Sequence, residues 1–86
     1  MSYAYLLCCA DGTLYAGWTN DLERRVRVHN EGRGAKYTRS RRPVTLVYAE
    51  KFETGSEARQ REAALKRLNR REKLALIEAA QNKLSV

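Results

Sequence analysis

The stretch YAYLLCCADGTLYAGW, residues 3–18, constrains the fold more than any other part of the chain. Two runs of aromatic and aliphatic residues flank the turn signal ADGT, which predicts an antiparallel hairpin. The turn has two possible geometries. A two-residue Asp11-Gly12 loop pairs Ala10 with Thr13 and sets Tyr15 opposite Cys8, on the face away from Tyr5. A three-residue loop, Ala10-Asp11-Gly12 with Gly12 left-handed, pairs Leu7 with Tyr15 and puts both tyrosines on one face.

The rest of the chain supplies partners for that hairpin. DLERRVRVHN reads as a helix, with Asn20 and Glu23 as a capping box and Gly32 as the stop. EGRGAKYTRSRRP is a glycine-rich basic loop, and VTLVYAEKF is a third strand begun by Pro43. Thr54 with Glu57 opens a second helix running to about Leu68, and Asn69 with Glu72 opens a third. Asn69 reads as a cap, not a site residue. The expected fold class is α+β: a three-stranded, mainly antiparallel sheet flanked by three helices, in the order ββαβαα. A chain of 86 residues is expected to form a single domain, 1–86.

The first helix carries polar groups where it should be apolar. At ~100° per residue, with Leu22 at 0°, Val26 falls near ~40°, His29 near ~−20° and Arg25 near ~−60°. Leu22 and Val26 must face the sheet, so His29 lies within the inward stripe and Arg25 borders it. Arg24, Arg27 and Glu23 point away. In the second helix Glu62 shares the apolar face of Ala58 and Leu65. A guanidinium on such a face must meet an acid, an anion or a solvated cleft. Arg25, His29 and Glu62 therefore either share a site or form an Arg25–Glu62 ion pair beside a structural histidine.

Charge points to the kind of partner. Residues 24–42 hold eight basic side chains and one acid, Glu31, so the whole +7 excess lies in the first helix and the loop after it. Arg33, Lys36, Arg39, Arg41 and Arg42 interleave there with Tyr37, Thr38 and Ser40, which suits a polyanion, most simply nucleic acid. The plain alternative is a solvated basic face. Cys8 and Cys9 are adjacent, fit no zinc or redox spacing, and are expected to be reduced and inert. No signal peptide or membrane-length apolar run is seen, so a cytoplasmic protein without a membrane partner is expected.

Together these residues resemble the GIY-YIG nuclease superfamily, in particular its small stand-alone bacterial members. The first signature tripeptide stands as Tyr3-Ala4-Tyr5 and the second as Tyr15-Ala16-Gly17. WTNDLERRVRVH matches the family helix, with its arginine on Arg25 and its histidine on His29. SEARQRE matches the metal-binding helix and puts the glutamate on Glu62. Ala4 and Ala16 replace the central isoleucines and Tyr3 the first glycine, all at packing positions.

The resemblance implies a one-metal phosphodiester hydrolase and the three-residue turn. Tyr5 or Tyr15 would be the base or water-positioner, its phenol pKa lowered by nearby cationic charge. Arg25 would hold the scissile phosphate, and His29 would orient a tyrosine or move a proton. Glu62 would bind Mg²⁺ or Mn²⁺, and Gly17 would let a phosphate approach the backbone. The implied function is a metal-dependent endonuclease on DNA, including branched or damaged forms, with RNA still open. No separate targeting domain is expected, and a targeting protein partner is. The rivals are a nucleic-acid-binding module with little catalysis of its own and a small ribosome-associated or RNA-binding protein.

Overall fold

The hairpin turn closes in its three-residue form. Cys9 N donates to the Thr13 carbonyl at 2.8 Å, Gly12 N donates to the Cys9 carbonyl at 2.9 Å, and Gly12 is left-handed with φ +84°. Strands β1 (Ser2–Cys8) and β2 (Leu14–Thr19) therefore pair with Leu7 opposite Tyr15 and Tyr5 opposite Gly17. Asp11 fixes the turn, accepting from Thr13 N and from the Thr13 hydroxyl. The computed structural model describes residues 1–84, so the last two positions of the expected 1–86 domain lie outside the described residues.

Strand β3 (Thr45–Phe52) pairs with the other edge of β1. The sheet order is β2-β1-β3 and both pairings are antiparallel, so β1 is central. Side chains alternate across it. Ala4, Leu6 and Ala16 pack with Leu65 and Ile77 on one face. Tyr5, Leu7 and Cys9 pack with Val44, Tyr15, Leu22 and Val26 on the other. The first helix thus covers one face and the last two helices cover the opposite one. Burial pushes the Cys9 thiol up, and both cysteines are free.

Helix α1 spans Leu22–Asn30. Its cap is Asp21, one residue later than expected: Asp21 is extended, and its carboxylate accepts from Arg24 N at 3.2 Å. The expected stop at Gly32 is made by two closing bonds, Gly32 N to the His29 carbonyl and Arg33 N to the Val28 carbonyl.

The basic segment departs from the expected loop. Residues Lys36–Arg39 form one short helix, α2, so the order is ββααβαα with four helices among the described residues. The turn forms because Thr38 is buried beneath it and bonds back to the Ala35 carbonyl through both its amide and its hydroxyl. Sequence periodicity could not show one turn of helix set among glycines and arginines.

Helices α3 (Gly55–Arg67) and α4 (Arg70–Leu84) start at the expected boxes. Thr54 accepts from Glu57 N, and the Glu57 carboxylate accepts from Thr54 N. Asn69 and Glu72 make the same reciprocal pair at 2.9 Å each.

Candidate functional site

Tyr5 is fully buried on β1 and faces the α1 layer. Its ring leans across the sheet toward the β2 edge, where Gly17 stands opposite it. A Cβ on Gly17 would lie 2.5 Å from the Tyr5 hydroxyl oxygen, so only glycine leaves that oxygen its place. The room beside Gly17, expected to admit a phosphate, holds the Tyr5 hydroxyl.

His29 meets that hydroxyl from α1. The Tyr5 oxygen and His29 Nε2 are 3.2 Å apart, and His29 Nδ1 is 2.8 Å from Thr38 Oγ1. The Thr38 hydroxyl donates to the Ala35 carbonyl at 2.9 Å. Gly34 closes over the ring, since a Cβ there would lie 2.3 Å from His29 Nδ1. Tyr15 packs edge-on to the same imidazole, with centroids 5.5 Å apart, and stacks on Tyr37 at 5.8 Å.

The helical phases are as the periodicity implied on α1. His29 is fully buried, Arg25 is half-buried, and Glu23, Arg24 and Arg27 are exposed. Among the described residues Arg25 makes no ion pair. Its charge is felt at both site groups. Burial, then Arg25, pushes the His29 pKa down to about 4. Burial raises the Tyr5 phenol above its ordinary value, with Tyr15 and Glu62 adding to the rise and Arg25 opposing it. The expected lowering of a site phenol by cationic charge is therefore outweighed at Tyr5 by desolvation.

Glu62 stands on α3, in the layer behind the sheet, with its side chain 20% exposed. Helix α3 packs on β1 and on the β2 edge strand. The field of Glu62 reaches Tyr5. Its ion pair is with Lys66, one turn along the helix at 3.7 Å, and the alternative Arg25–Glu62 pair is not formed. No group of three or more His, Cys, Asp or Glu side chains converges among the described residues. A single half-buried carboxylate suits a magnesium-like ion, which keeps most of its waters and takes further oxygens from a substrate, and does not suit a closed zinc cage.

The basic segment is divided in its commitments. Arg41 binds the Asp11 carboxylate and the Tyr37 carbonyl, and its guanidinium lies 4.0 Å from the Tyr37 ring centre. Arg42 donates to the carbonyls of Arg39 and Asn30. Arg33 pairs with Glu31. Lys36 and Arg39 are exposed and form no ion pair among the described residues. Thr38, interleaved with those basic residues, is fully buried and turned toward His29. Asn30, unremarked in the sequence, braces α1 to the entry of β3 by accepting from Val44 N and donating to its carbonyl.

Comparisons with known proteins agree with this architecture. The GIY-YIG catalytic domain model matches residues 1–75. The UPF0213 protein CPE1444 of Clostridium perfringens is 57% identical over 77 residues, covering 90% of this chain and 83% of that protein. The UPF0213 protein YazA of Bacillus subtilis is 50% identical over 80 residues, covering 93% and 81%. The solution structure of protein EF2693 from E. faecalis matches with a TM-score of 0.60 at 47% identity, covering 94% of this chain and 88% of that one. The UPF0213 protein BH0048 from Bacillus halodurans matches with a TM-score of 0.58 at 44% identity, covering 92% and 85%. With a central β1 carrying Tyr5, a β2 edge carrying Tyr15 and Gly17, and these matches along nearly its whole length, the chain belongs to the GIY-YIG family, alongside the small bacterial UPF0213 proteins.

Proposed function

We propose that the protein is a divalent-metal-dependent endonuclease hydrolysing phosphodiester bonds in DNA, branched or damaged forms included. The carrying observation is the buried Tyr5–His29 hydrogen bond beside an Arg25 that has no carboxylate partner among the described residues. A half-buried guanidinium without an acid is a ready place for a phosphate, which it grips by a forked contact.

Each residue then has a task. Arg25 holds the phosphate and stabilises the charge that builds on its oxygens. Tyr5 orients the attacking water and takes its proton as the phenol proton passes to His29 Nε2. Tyr15 packs against His29 and walls the site. Phosphate on Arg25 offsets one of the two causes that depress the His29 pKa, so the imidazole becomes a better proton acceptor when substrate arrives. Glu62, in the layer behind the sheet but with its field reaching Tyr5, is the side chain that would hold Mg²⁺ or Mn²⁺, an ion that would supply positive charge toward a phosphodiester at the site.

The test is Glu62→Gln, which keeps size but removes the charge a hard cation needs. Metal-dependent cleavage of a panel of single-stranded, duplex, flapped and branched DNA, with RNA alongside, should fall about a hundredfold or more, which is roughly 3 kcal/mol of transition-state stabilisation. Binding should persist or tighten. Full activity in the variant would remove Glu62 from the mechanism. A parent that binds but cleaves nothing on the whole panel would make the protein a binding module.

A further inference from the structure

We infer that Thr38 is a positioning residue that fixes the tautomer of His29, and thereby the direction in which the Tyr5 proton moves. The inference rests on the nuclease reading for its catalytic meaning but not for its chemistry. It begins with the contacts of one oxygen. Thr38 Oγ1 lies 2.9 Å from the Ala35 carbonyl oxygen and 2.8 Å from His29 Nδ1. A carbonyl only accepts, so the single hydroxyl proton of Thr38 belongs between the two oxygens; without it, two sets of lone pairs would face each other at contact distance. Thr38 Oγ1 is then left with lone pairs toward the imidazole, and His29 Nδ1 must donate.

The other ring nitrogen follows. The imidazole is buried and neutral at neutral pH, so it carries one proton, and that proton is on Nδ1. Nε2 is bare and accepts from the Tyr5 hydroxyl. The chain of donors runs Tyr5 O–H to Nε2, Nδ1–H to Thr38 Oγ1, and Thr38 O–H to the Ala35 carbonyl. Tyr5 Oη thus accepts nothing from the imidazole; one side of the oxygen faces Arg25, and the acceptor capacity that remains is for a water. When that water gives its proton to Tyr5 Oη, the phenol proton crosses to Nε2 and the ring becomes imidazolium, so the proton count balances. The opposite tautomer would direct Nε2–H at Tyr5, occupy a lone pair and offer no place for the phenol proton. Helix α2 brings Thr38 to this point, and Gly34, having no Cβ, leaves the imidazole room to stand there.

His29 is the sole histidine of the chain, so imidazole nitrogen resonances of the ¹⁵N-labelled intact protein are unambiguous. At neutral pH the parent should show Nδ1 protonated and Nε2 bare. Thr38→Ser should keep that tautomer and cleave within about threefold of the parent. Thr38→Val, close in shape but with no hydroxyl, should move the proton toward Nε2 and reduce cleavage at least about tenfold, with a changed pH profile. A parent protonated on Nε2 overturns the inference without any variant, which also covers a Thr38→Val protein that fails to fold. A folded Thr38→Val that keeps both tautomer and pH profile overturns it as well. A parent with the stated tautomer that cleaves no substrate refutes the nuclease reading while supporting the tautomer lock.

Discussion

At the residue scale the site is defined by what surrounds two rings. His29 titrates near 4 in the folded protein against an ordinary value near 6.5, because burial and Arg25 disfavour its charged form. Between those values the unfolded chain binds a proton that the native state does not, so stability falls as the pH drops from 6.5 toward 4 and is flat above. The loss should be on the order of 2 kcal/mol. Denaturant melts from about pH 7.5 to about pH 4.5 should show it, and His29→Gln should abolish that slope; an unchanged slope in the variant would assign it to other groups. The Gly17→Ala variant tests the second ring. Its Cβ would meet the Tyr5 hydroxyl at 2.5 Å, and Tyr5 is confined by the core. The phenol must shift, and cleavage should fall at least about tenfold because positioning is lost. Gly17→Ala should still melt cooperatively; a fully active variant would show that the Tyr5 hydroxyl can move without consequence.

At the element scale, what was legible followed from local rules. Thr54 with Glu57 and Asn69 with Glu72 are pairs at fixed spacing, and each opens its helix as expected. Only Leu68 and Asn69 join α3 to α4, Leu68 capping the end of one and Asn69 the start of the other. Replacing Asn69 with alanine should lower stability by about 1 kcal/mol and leave any cleavage untouched, checked by thermal melting and a cleavage assay on the same protein. The inward phase of Arg25 and His29 was equally readable, because Leu22 and Val26 fix which face of α1 meets the sheet. The turn register was not readable from the residues alone, since both loop lengths satisfy the same Asp-Gly signal. The resemblance chose the longer one, and its bonds are present. Helix α2 was hidden for a different reason. It is held by Thr38 against His29, nine residues upstream, and by Arg41 against Asp11, thirty residues away. Neither contact leaves a periodic trace. The layer of Glu62 was also invisible: helical phase says which side of α3 is inward, but not on which face of the sheet α3 lies.

At the scale of the whole molecule the +7 charge is unevenly available. The formal count treats residues 24–42 as one basic patch, yet the structure uses part of it internally. Arg41 ties α2 to the hairpin turn through Asp11, and Arg42 serves backbone carbonyls at the end of α1. Lys36 and Arg39 are exposed and hold no carboxylate among the described residues, so they are available to phosphates. Two kinds of variant should therefore separate. Replacing Lys36 and Arg39 together by glutamine should weaken binding to any nucleic acid sequence and leave the melting temperature nearly unchanged. It should also flatten the dependence of log affinity on log salt by about 0.9 for each duplex phosphate that is no longer neutralised, hence by about 2 in all. Replacing Arg41 by glutamine should do the reverse: the exposed Asp11 turn and the Tyr37 stack lose their tie, the melting temperature drops, and the salt slope changes little. Fluorescence anisotropy on one duplex at several salt concentrations, with melts of the same proteins, measures both. Equal flattening by the two variants would mean that Arg41 leaves Asp11 for phosphate on binding, and an unchanged slope in Lys36→Gln/Arg39→Gln would reduce the exposed cations of α2 to solvated surface.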